Sequence, residues 1–252
     1  MSTDDWLGKV ETIENRWDIL YRDYPEVYHR FASVKKKPSI SEVLPDMFNL
    51  RDKIVADVGS GTGLSTFNLA KYARHVVGIE PEDSMRNLAV RNAEKRHIEN
   101  VEFKRGTAEN IPLSDRSVDI VVAVTAASFY RRENIELFVK EAERILRDEG
   151  LTISVDVAPG WYGGELAPVI LGRSRRQKDS DSEIVRNESF TTLGFKHRDI
   201  YQTQDYGSME NILSTYGFIF GRKAIDHITS HRKTVIKWKF RIYYKYKSHS
   251  HD

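Results

Sequence analysis

Val55-Ala56-Asp57-Val58-Gly59-Ser60-Gly61-Thr62-Gly63 is the stretch on which the interpretation of the chain turns. Its first half belongs to an apolar run, Lys53–Val58, with the pattern of a short buried strand. Its second half sets glycines at alternate positions ahead of a helical stretch, Leu64–Tyr72. Without Cβ, glycines permit tight turning and let backbone N–H groups approach a ligand closely. The helix start beyond them adds a partial positive charge suited to a carboxylate. Alone, a G-x-G-x-G loop indicates little more than a nucleotide ligand, so its surroundings decide.

Outward from the loop, strand and helix patterns alternate. Strands are predicted at His75–Glu80, Val101–Arg105, Val118–Val124 and Leu151–Val157, and helices at Asp83–His97 and Asn134–Leu146. Such alternation implies right-handed crossovers and a mostly parallel sheet. Toward the N-terminus, residues 1–50 have helical spacing: Trp6, Val10, Ile13, Trp17, Leu20 and Tyr21 recur at intervals of three and four, and Tyr24, Val27, Tyr28 and Phe31 follow. Ser39 is a candidate N-cap for a third helix, about 39–48. Past Ala158 the alternation fails. Residues 159–190 hold glycines, a basic cluster (Arg173, Arg175, Arg176, Lys178) and acids (Asp179, Asp181, Glu183), which suggests an insertion or loop. Strands at Phe195–Thr203 and Thr234–Tyr246, flanking two helices, are expected to make an antiparallel, hairpin-like edge. The expected division is a helical N-terminal cover over 1–50 and an α/β domain over 51–252 with that insertion.

Other features sit at the predicted strand ends. Glu80 lies 17 residues past Gly63, where a carboxylate can accept both hydroxyls of a ribose. Pro81 and Met85 follow it. After the third strand comes Thr107-Ala108-Glu109, in which the Ala108 N–H and a Glu109 oxygen can pair with an adenine edge. Asp57, two residues before the first glycine, is placed to attract an ammonium. The strand 118–124 ends at Thr125. Asp119 at its start has the position of a structural cap. The main rival, a nicotinamide dinucleotide site, wants G-x-G-x-x-G. Here Leu64 occupies the last position and the third glycine comes one place early.

In order and spacing these elements resemble the class I S-adenosylmethionine-dependent methyltransferases, and within them the methyltransferase-11 or UbiE-like group, over roughly residues 50–158. The resemblance implies a Rossmann-like, seven-stranded sheet of order 3-2-1-4-5-7-6 with strand 7 antiparallel and helices on both faces. It implies S-adenosyl-L-methionine as cofactor, held by Asp57, Gly59, Ser60, Gly61, Gly63, Glu80, Pro81, Met85, Thr107, Ala108, Glu109 and Thr125. Many members of the group carry a histidine and an aromatic residue after the fourth strand. Here Ser128, Phe129 and Tyr130 stand there, so no histidine base is implied.

Composition bounds the rest. No cysteine is present, which excludes disulfides, cysteine zinc sites, thiol nucleophiles and methylation through a cysteine adduct. The histidines are scattered without metal-ligand spacing, so no metal is expected. A net charge of +2 is too balanced to imply nucleic acid. The run from His231 to Lys247 nevertheless holds seven Lys or Arg and no acid. Its plainer interpretation is a basic solvent face on edge strands. No apolar run reaches the length of a membrane span, and the N-terminus lacks a signal-peptide pattern, so a cytoplasmic, non-membrane protein is expected, a monomer or homodimer.

A methyltransferase of this kind needs an acceptor. The helical cover and the 159–190 segment favour a small-molecule acceptor, with Tyr24, Tyr28, Phe129, Trp161 and Tyr162 as candidate contacts. Tyr28, Tyr130 and Asp156 are candidates for proton transfer. The alternatives are an RNA or protein methyltransferase using the basic C-terminal face, and a cofactor-binding regulator without turnover. Against nucleic-acid methylation, the fourth strand ends in Val124-Thr125-Ala126-Ala127 rather than an N/D-P-P-Y motif.

Overall fold

The glycine-loop strand lies inside a single sheet whose strands are Lys35–Lys37 (β1), Ile54–Val58 (β2), His75–Ile79 (β3), Val101–Lys104 (β4), Val118–Val124 (β5), Leu146–Val157 (β6), Lys196–Asp205 (β7) and Val235–Tyr246 (β8). They are taken from a computed structural model that describes residues 11–126, 129 and 131–248, the side chains of Ser41 and of residues 173–182 lying outside the description. Trp6, Val10, Ser128, Tyr130 and the side chains of the 173–181 charge cluster therefore fall outside it.

The sheet order is β1-β7-β8-β6-β5-β2-β3-β4. Parallel pairing joins β4, β3, β2, β5 and β6 in that sequence, and β8 runs antiparallel to both β6 and β7. Two expectations need correction. The sheet has eight strands, not seven, because β1 pairs antiparallel with β7, Lys36 opposite Gln204. A run of three lysines carries no apolar alternation, so only its backbone pairing makes it a strand. At the outer edge those lysines discourage further association. Nor is β8 an edge. It lies between β6 and β7, with Ile236, Trp238, Phe240 and Ile242 buried.

The helices are Trp17–Asp23 (α1), Pro25–Ala32 (α2), Ile40–Met47 (α3), Leu64–Leu69 (α4), Asp83–Lys95 (α5), Arg132–Ile145 (α6), Ala167–Thr192 (α7), Met209–Ile212 (α8), Phe218–Phe220 (α9) and Arg222–Ser230 (α10). α3 starts on a capping box: the Glu42 N–H donates to Ser39 Oγ at 3.2 Å and the Ser39 N–H to Glu42 Oε2 at 2.9 Å. Where an insertion or loop was expected over 159–190, the chain is largely helical: a 3₁₀ turn at Gly164–Leu166 leads into α7, interrupted at Gly172 (φ 65°, ψ 163°).

Each face of the sheet has its own apolar cluster. Val55, Val76, Val122 and Ile153 belong to one, with Phe220 and Trp238, while Val58, Val77, Ile79 and Val121 belong to the other, with Phe138 of α6 and Phe190 of α7. Alternation along β2 puts Asp57 on the face of Val55. Asp119 has the structural role its position suggested: Oδ2 accepts the Ile54 N–H at 2.8 Å and Oδ1 pairs with Arg147 at 3.1 Å, tying β5 to its neighbours.

Candidate functional site

At the carboxyl end of β2 the chain turns through Gly59, Gly61 and Gly63 at φ +74°, +54° and +86°. The loop amides are largely committed to the loop's own shape. The Gly59 and Ser60 N–H groups both donate to the Ile79 carbonyl, at 2.8 and 3.1 Å, and the Gly63 N–H to the Ser60 carbonyl at 2.9 Å. The Gly61 N–H donates to Glu80 Oε2 at 2.8 Å. This corrects the expectation that these N–H groups face a ligand. What the glycines supply is room: a Cβ on Gly61 would stand 3.4 Å from Met85 Cε and 3.4 Å from Tyr28 Cε1, and one on Gly59 would stand 3.1 Å from Ala126 Cβ.

Glu80, at the end of β3, is buried and holds two backbone donors, Gly61 N–H on Oε2 and Glu82 N–H at 2.9 Å on Oε1. Each carboxylate oxygen can accept more than one hydrogen bond, so each retains capacity for a hydroxyl. Burial raises the Glu80 pKa, and the two N–H bonds oppose that shift. Glu80 lines a cavity of about 240 Å³ with Gly59, Gly61, Pro81, Met85, Thr107, Ala108, Glu109 and Thr125. Tyr21, Tyr28, Val58, Glu82, Gly106 and Ala126 complete the wall. One Glu109 oxygen accepts the Asn134 amide at 3.0 Å, leaving the other for a ligand.

Asp57 lines neither this cavity nor its neighbour. It is fully buried; Oδ2 accepts the hydroxyls of Ser65 (2.7 Å) and Thr66 (2.6 Å), while Oδ1 has no partner. Burial pushes its pKa up to about 6 despite the two hydroxyls. Ser60 Oγ is likewise buried without a partner. Glu80, with capacity for two hydroxyls and with the apolar Met85 and Pro81 beside it, and Asp57, with a buried unpartnered oxygen that an ammonium would satisfy, fit the polar groups of S-adenosylmethionine.

The N-terminal helices roof this end of the sheet. His29 Nδ1 lies 2.8 Å from Thr62 Oγ1 in the glycine loop, and Ser84 Oγ donates to the Tyr21 carbonyl at 3.1 Å. Tyr28 packs edge-on against Tyr21 (centroids 5.2 Å apart). Burial, then the nearby charges of Glu80 and Asp57, raise its hydroxyl pKa to about 12. Under the roof lies a second, larger cavity of about 1120 Å³. Tyr21, Tyr28, Gly59, Thr125 and Ala126 line both cavities, so the two meet there. The 240 Å³ space is below the roughly 300–1,000 Å³ usual for small-molecule sites. A ligand of ordinary size therefore has to reach past these residues. Thr125 holds φ at +51°, costly for a β-branched residue and typical of backbone strained at a functional site.

The sequence candidates for the acceptor side divide. Tyr28, Tyr162 and Asp156 line the larger cavity. Tyr162 accepts the Trp17 indole N–H at 2.7 Å. Asp156, at the end of β6, is buried and paired with Arg186 at 3.1 Å; burial raises its pKa against that neighbour. Three candidates lie elsewhere. Phe129 is fully buried between Phe138 and Phe190, a core position on the other face of the sheet. Trp161 packs on Tyr201, and the partly exposed Tyr24 on Phe218; neither lines either of these two cavities. Gly63 also lines neither, and packs against Phe67 and Phe103. Sequence reasoning missed Lys36, Glu183 and Arg186, which line the larger cavity from segments without a local motif.

The basic C-terminal run is largely neutralised in place. Lys239 and Arg241 pair with Asp199, Lys245 pairs with Glu143, and Lys247 Nζ donates to the Glu143 and Leu146 carbonyls. Among the described residues no cluster suited to a metal ion occurs, and no helix is long and apolar enough to cross a membrane.

Comparison with known proteins agrees with this geometry. Residues 55–150 match the family model described as a methyltransferase domain. The uncharacterised methyltransferase YcgJ of Bacillus subtilis is 31% identical over 102 residues, 40% of this chain and 40% of its own length. Its crystal structure superposes with a TM-score of 0.59 at 19% identity, covering 83% of this chain and 98% of YcgJ. A phthiotriol/phenolphthiotriol dimycocerosates methyltransferase of Mycobacterium ulcerans is 27% identical over 171 residues, 66% of this chain and 56% of its own length. The chain thus spans about half or less of the length of these curated relatives. Residues 55–150 form a class I S-adenosylmethionine-dependent methyltransferase domain.

Proposed function

We propose that the protein transfers the methyl group of S-adenosylmethionine to a small molecule held in the larger cavity. The observation that carries this reading is the junction at Tyr21, Tyr28, Gly59, Thr125 and Ala126, where the cavity containing Glu80 opens onto the larger one. The cofactor supplies a methyl group already activated by its sulfonium, so transfer depends more on alignment than on covalent help from the protein. Glu80 receives the ribose hydroxyls, Asp57 Oδ1 attracts the ammonium, Pro81 and Met85 pack on the adenine, and Thr107-Ala108-Glu109 edges it. The strained Thr125 and the Tyr28 ring narrow the junction and exclude water from it.

The Tyr28 hydroxyl, with its pKa near 12, keeps its proton at neutral pH, so its role is to donate a hydrogen bond rather than to act as a base. Asp156 is the described group left for proton acceptance, in an acceptor that requires it. The neutralised lysines of β8 favour a small-molecule acceptor over RNA. A cytoplasmic location and a monomeric or homodimeric state belong to the same proposal.

The test joins calorimetry with S-adenosylhomocysteine to a radiolabelled methyl-transfer screen against metabolite pools and RNA fractions. Micromolar binding with transfer into a small molecule supports the reading. Binding without transfer into any fraction favours a regulator, and label entering RNA overturns the acceptor class.

The Asp57 environment gives a pH dependence. Its pKa of about 6 in the protein lies above the usual aspartate value, so the free protein binds an extra proton there between about pH 4 and 6. A bound ammonium favours the carboxylate and pulls that pKa down. Affinity for S-adenosylhomocysteine is therefore expected to rise from pH 5 to 7 and then level off, with proton release at pH 5.5 in buffers of different ionisation enthalpy. In Asp57→Asn the slope and the proton release should both vanish. For folding the sign is opposite: the raised pKa stabilises the free protein below pH 4, and this is lost as pH rises through 6.

A further inference from the structure

The larger cavity contains a cation whose charge nothing in the proposed transfer uses. In β1, Lys35 and Lys37 are exposed while Lys36 between them is half-buried, and Lys36 lines the larger cavity but not the smaller. Its Nζ donates to the Ala32 carbonyl at 2.6 Å, at the end of α2. An ammonium has three donors, so that bond leaves capacity for others. Among the described residues Lys36 forms no ion pair, and burial alone draws its pKa down to about 8, with no acid offsetting it.

Each carboxylate described in the wall of the same cavity has a partner other than Lys36, although Glu183 keeps one buried oxygen without any. Asp18 pairs with Arg16 at 3.2 Å and Asp156 with Arg186 at 3.1 Å. Glu42 accepts the Ser39 N–H, Glu183 the Gly160 N–H and Glu14 the Arg222 N–H. Much of the remaining wall is apolar: Trp17, Phe31, Leu171, Phe220, Trp238 and Phe240. A partly desolvated charge without a counter-ion is costly, and an anion delivered by a ligand relieves that cost. The apolar wall rewards a ligand that buries hydrocarbon or an aromatic ring beside it.

We infer that the acceptor is an amphipathic anion, an apolar body bearing one carboxylate or phosphate group, and that Lys36 in the cavity wall is its counter-charge. This rests on the proposed methyl transfer for the word acceptor, but binding of such an anion is measurable without it. The apolar body lies along Trp17, Phe31, Phe220 and Trp238, and the anion sits at β1, outside the cofactor cavity. The plainer role for Lys36 is to hold the carbonyl end of α2 against the helix dipole. That role alone would leave charged and neutral ligands equally bound.

The probes are decanoate, decyl phosphate and 1-decanol, titrated into the protein and followed by tryptophan fluorescence, since Trp17 and Trp238 line the cavity. At least one anion is expected to bind 10-fold or more tightly than the alcohol, the tighter of the two identifying the headgroup. Lys36→Met should erase that preference with the alcohol's affinity unchanged, and Lys36→Arg should retain it. Equal affinity of all three probes, a preference that survives in Lys36→Met, or a variant that weakens anions and alcohol alike would each overturn the inference. S-adenosylhomocysteine binding, measured in parallel, should be the same in Lys36→Met as in the parent. Its absence from the parent protein would sink the methyltransferase reading, leaving the anion preference to stand or fall by the probes.

Discussion

Glu80→Ala is expected to weaken S-adenosylhomocysteine binding at least about 100-fold, measured by calorimetry, with the larger part of the loss in enthalpy. The carboxylate has two duties. Toward the ligand it offers one oxygen to each ribose hydroxyl, and hydrogen bonds to a charged group contribute about 1.5–3 kcal/mol each. Two of them sum to ~3–6 kcal/mol, or about two to four decades of affinity. Toward the protein it holds the Gly61 and Glu82 N–H groups at 2.8 and 2.9 Å. Alanine leaves both amides without that acceptor and frees the loop, so some of the loss comes from disorganising Gly61 rather than from the hydroxyls.

Glu80→Gln separates the two. One amide oxygen can still serve Gly61, but the –NH₂ group faces the Glu82 N–H, donor against donor. This variant should fall between alanine and the parent. A melting temperature near the parent's certifies that the fold is intact, and unchanged affinity in a folded Glu80→Ala would show that the carboxylate does not receive the ribose.

The lining of the smaller cavity was legible in the sequence because each of its parts is local. A strand, a glycine loop and a carboxylate at the next strand end are read from neighbouring residues, and the parallel sheet brings those ends together whatever the rest of the chain does. Gly59, Gly61, Glu80, Met85, Ala108 and Thr125 all follow that rule, whereas Asp57, from the same strand, lines neither cavity.

The larger cavity, the proposed acceptor site, is assembled from segments far apart in sequence. Lys36 comes from an edge strand with no alternation, Asp156 from the end of β6, Arg186 from α7 and Trp238 from β8. Their meeting depends on which face each element presents and on α7 being a helix, neither of which the charge-rich composition of 159–190 discloses. Phe129 shows the converse error. Its place just after β5 suggested the ligand side, yet the ring belongs to the apolar cluster of the opposite face, its centroid 4.8 Å from that of Phe138. The loop amides are a subtler miss. Glycine spacing indicates a tight turn, but it does not say whether the freed N–H groups meet a ligand or the Ile79 carbonyl.

That distinction between glycines yields the other large effect. Gly63→Ala is expected to lower the melting temperature by roughly 5–15 °C, while Gly61→Ala leaves it within about 4 °C and weakens S-adenosylhomocysteine binding at least tenfold. A Cβ on Gly63 would stand 2.5 Å from Phe67 Cζ, 2.9 Å from Phe67 Cε2 and 3.1 Å from Phe103 Cζ. Phe67 is 2% exposed and packs edge-on against Phe103, so its ring has no open space into which to swing. Overpacking costs about 1–3 kcal/mol, and a non-glycine residue at φ +86° adds ~1 kcal/mol or more. In a domain of this size each kcal/mol corresponds to roughly 2–4 °C.

Gly61 differs in its surroundings. Its φ of +54° also strains a non-glycine residue, by about 1 kcal/mol, but its added methyl meets Met85 and Tyr28 at 3.4 Å, an ordinary contact. The methyl takes its space from the wall of the smaller cavity, the proposed cofactor site, instead. Gly63 therefore fills the close-packing role that a dinucleotide loop gives to its third glycine one residue later, at the position Leu64 holds here. If Gly63→Ala kept its stability and lost only ligand affinity, the third glycine would be a ligand contact and the early-glycine argument for a sulfonium cofactor would lose its physical basis.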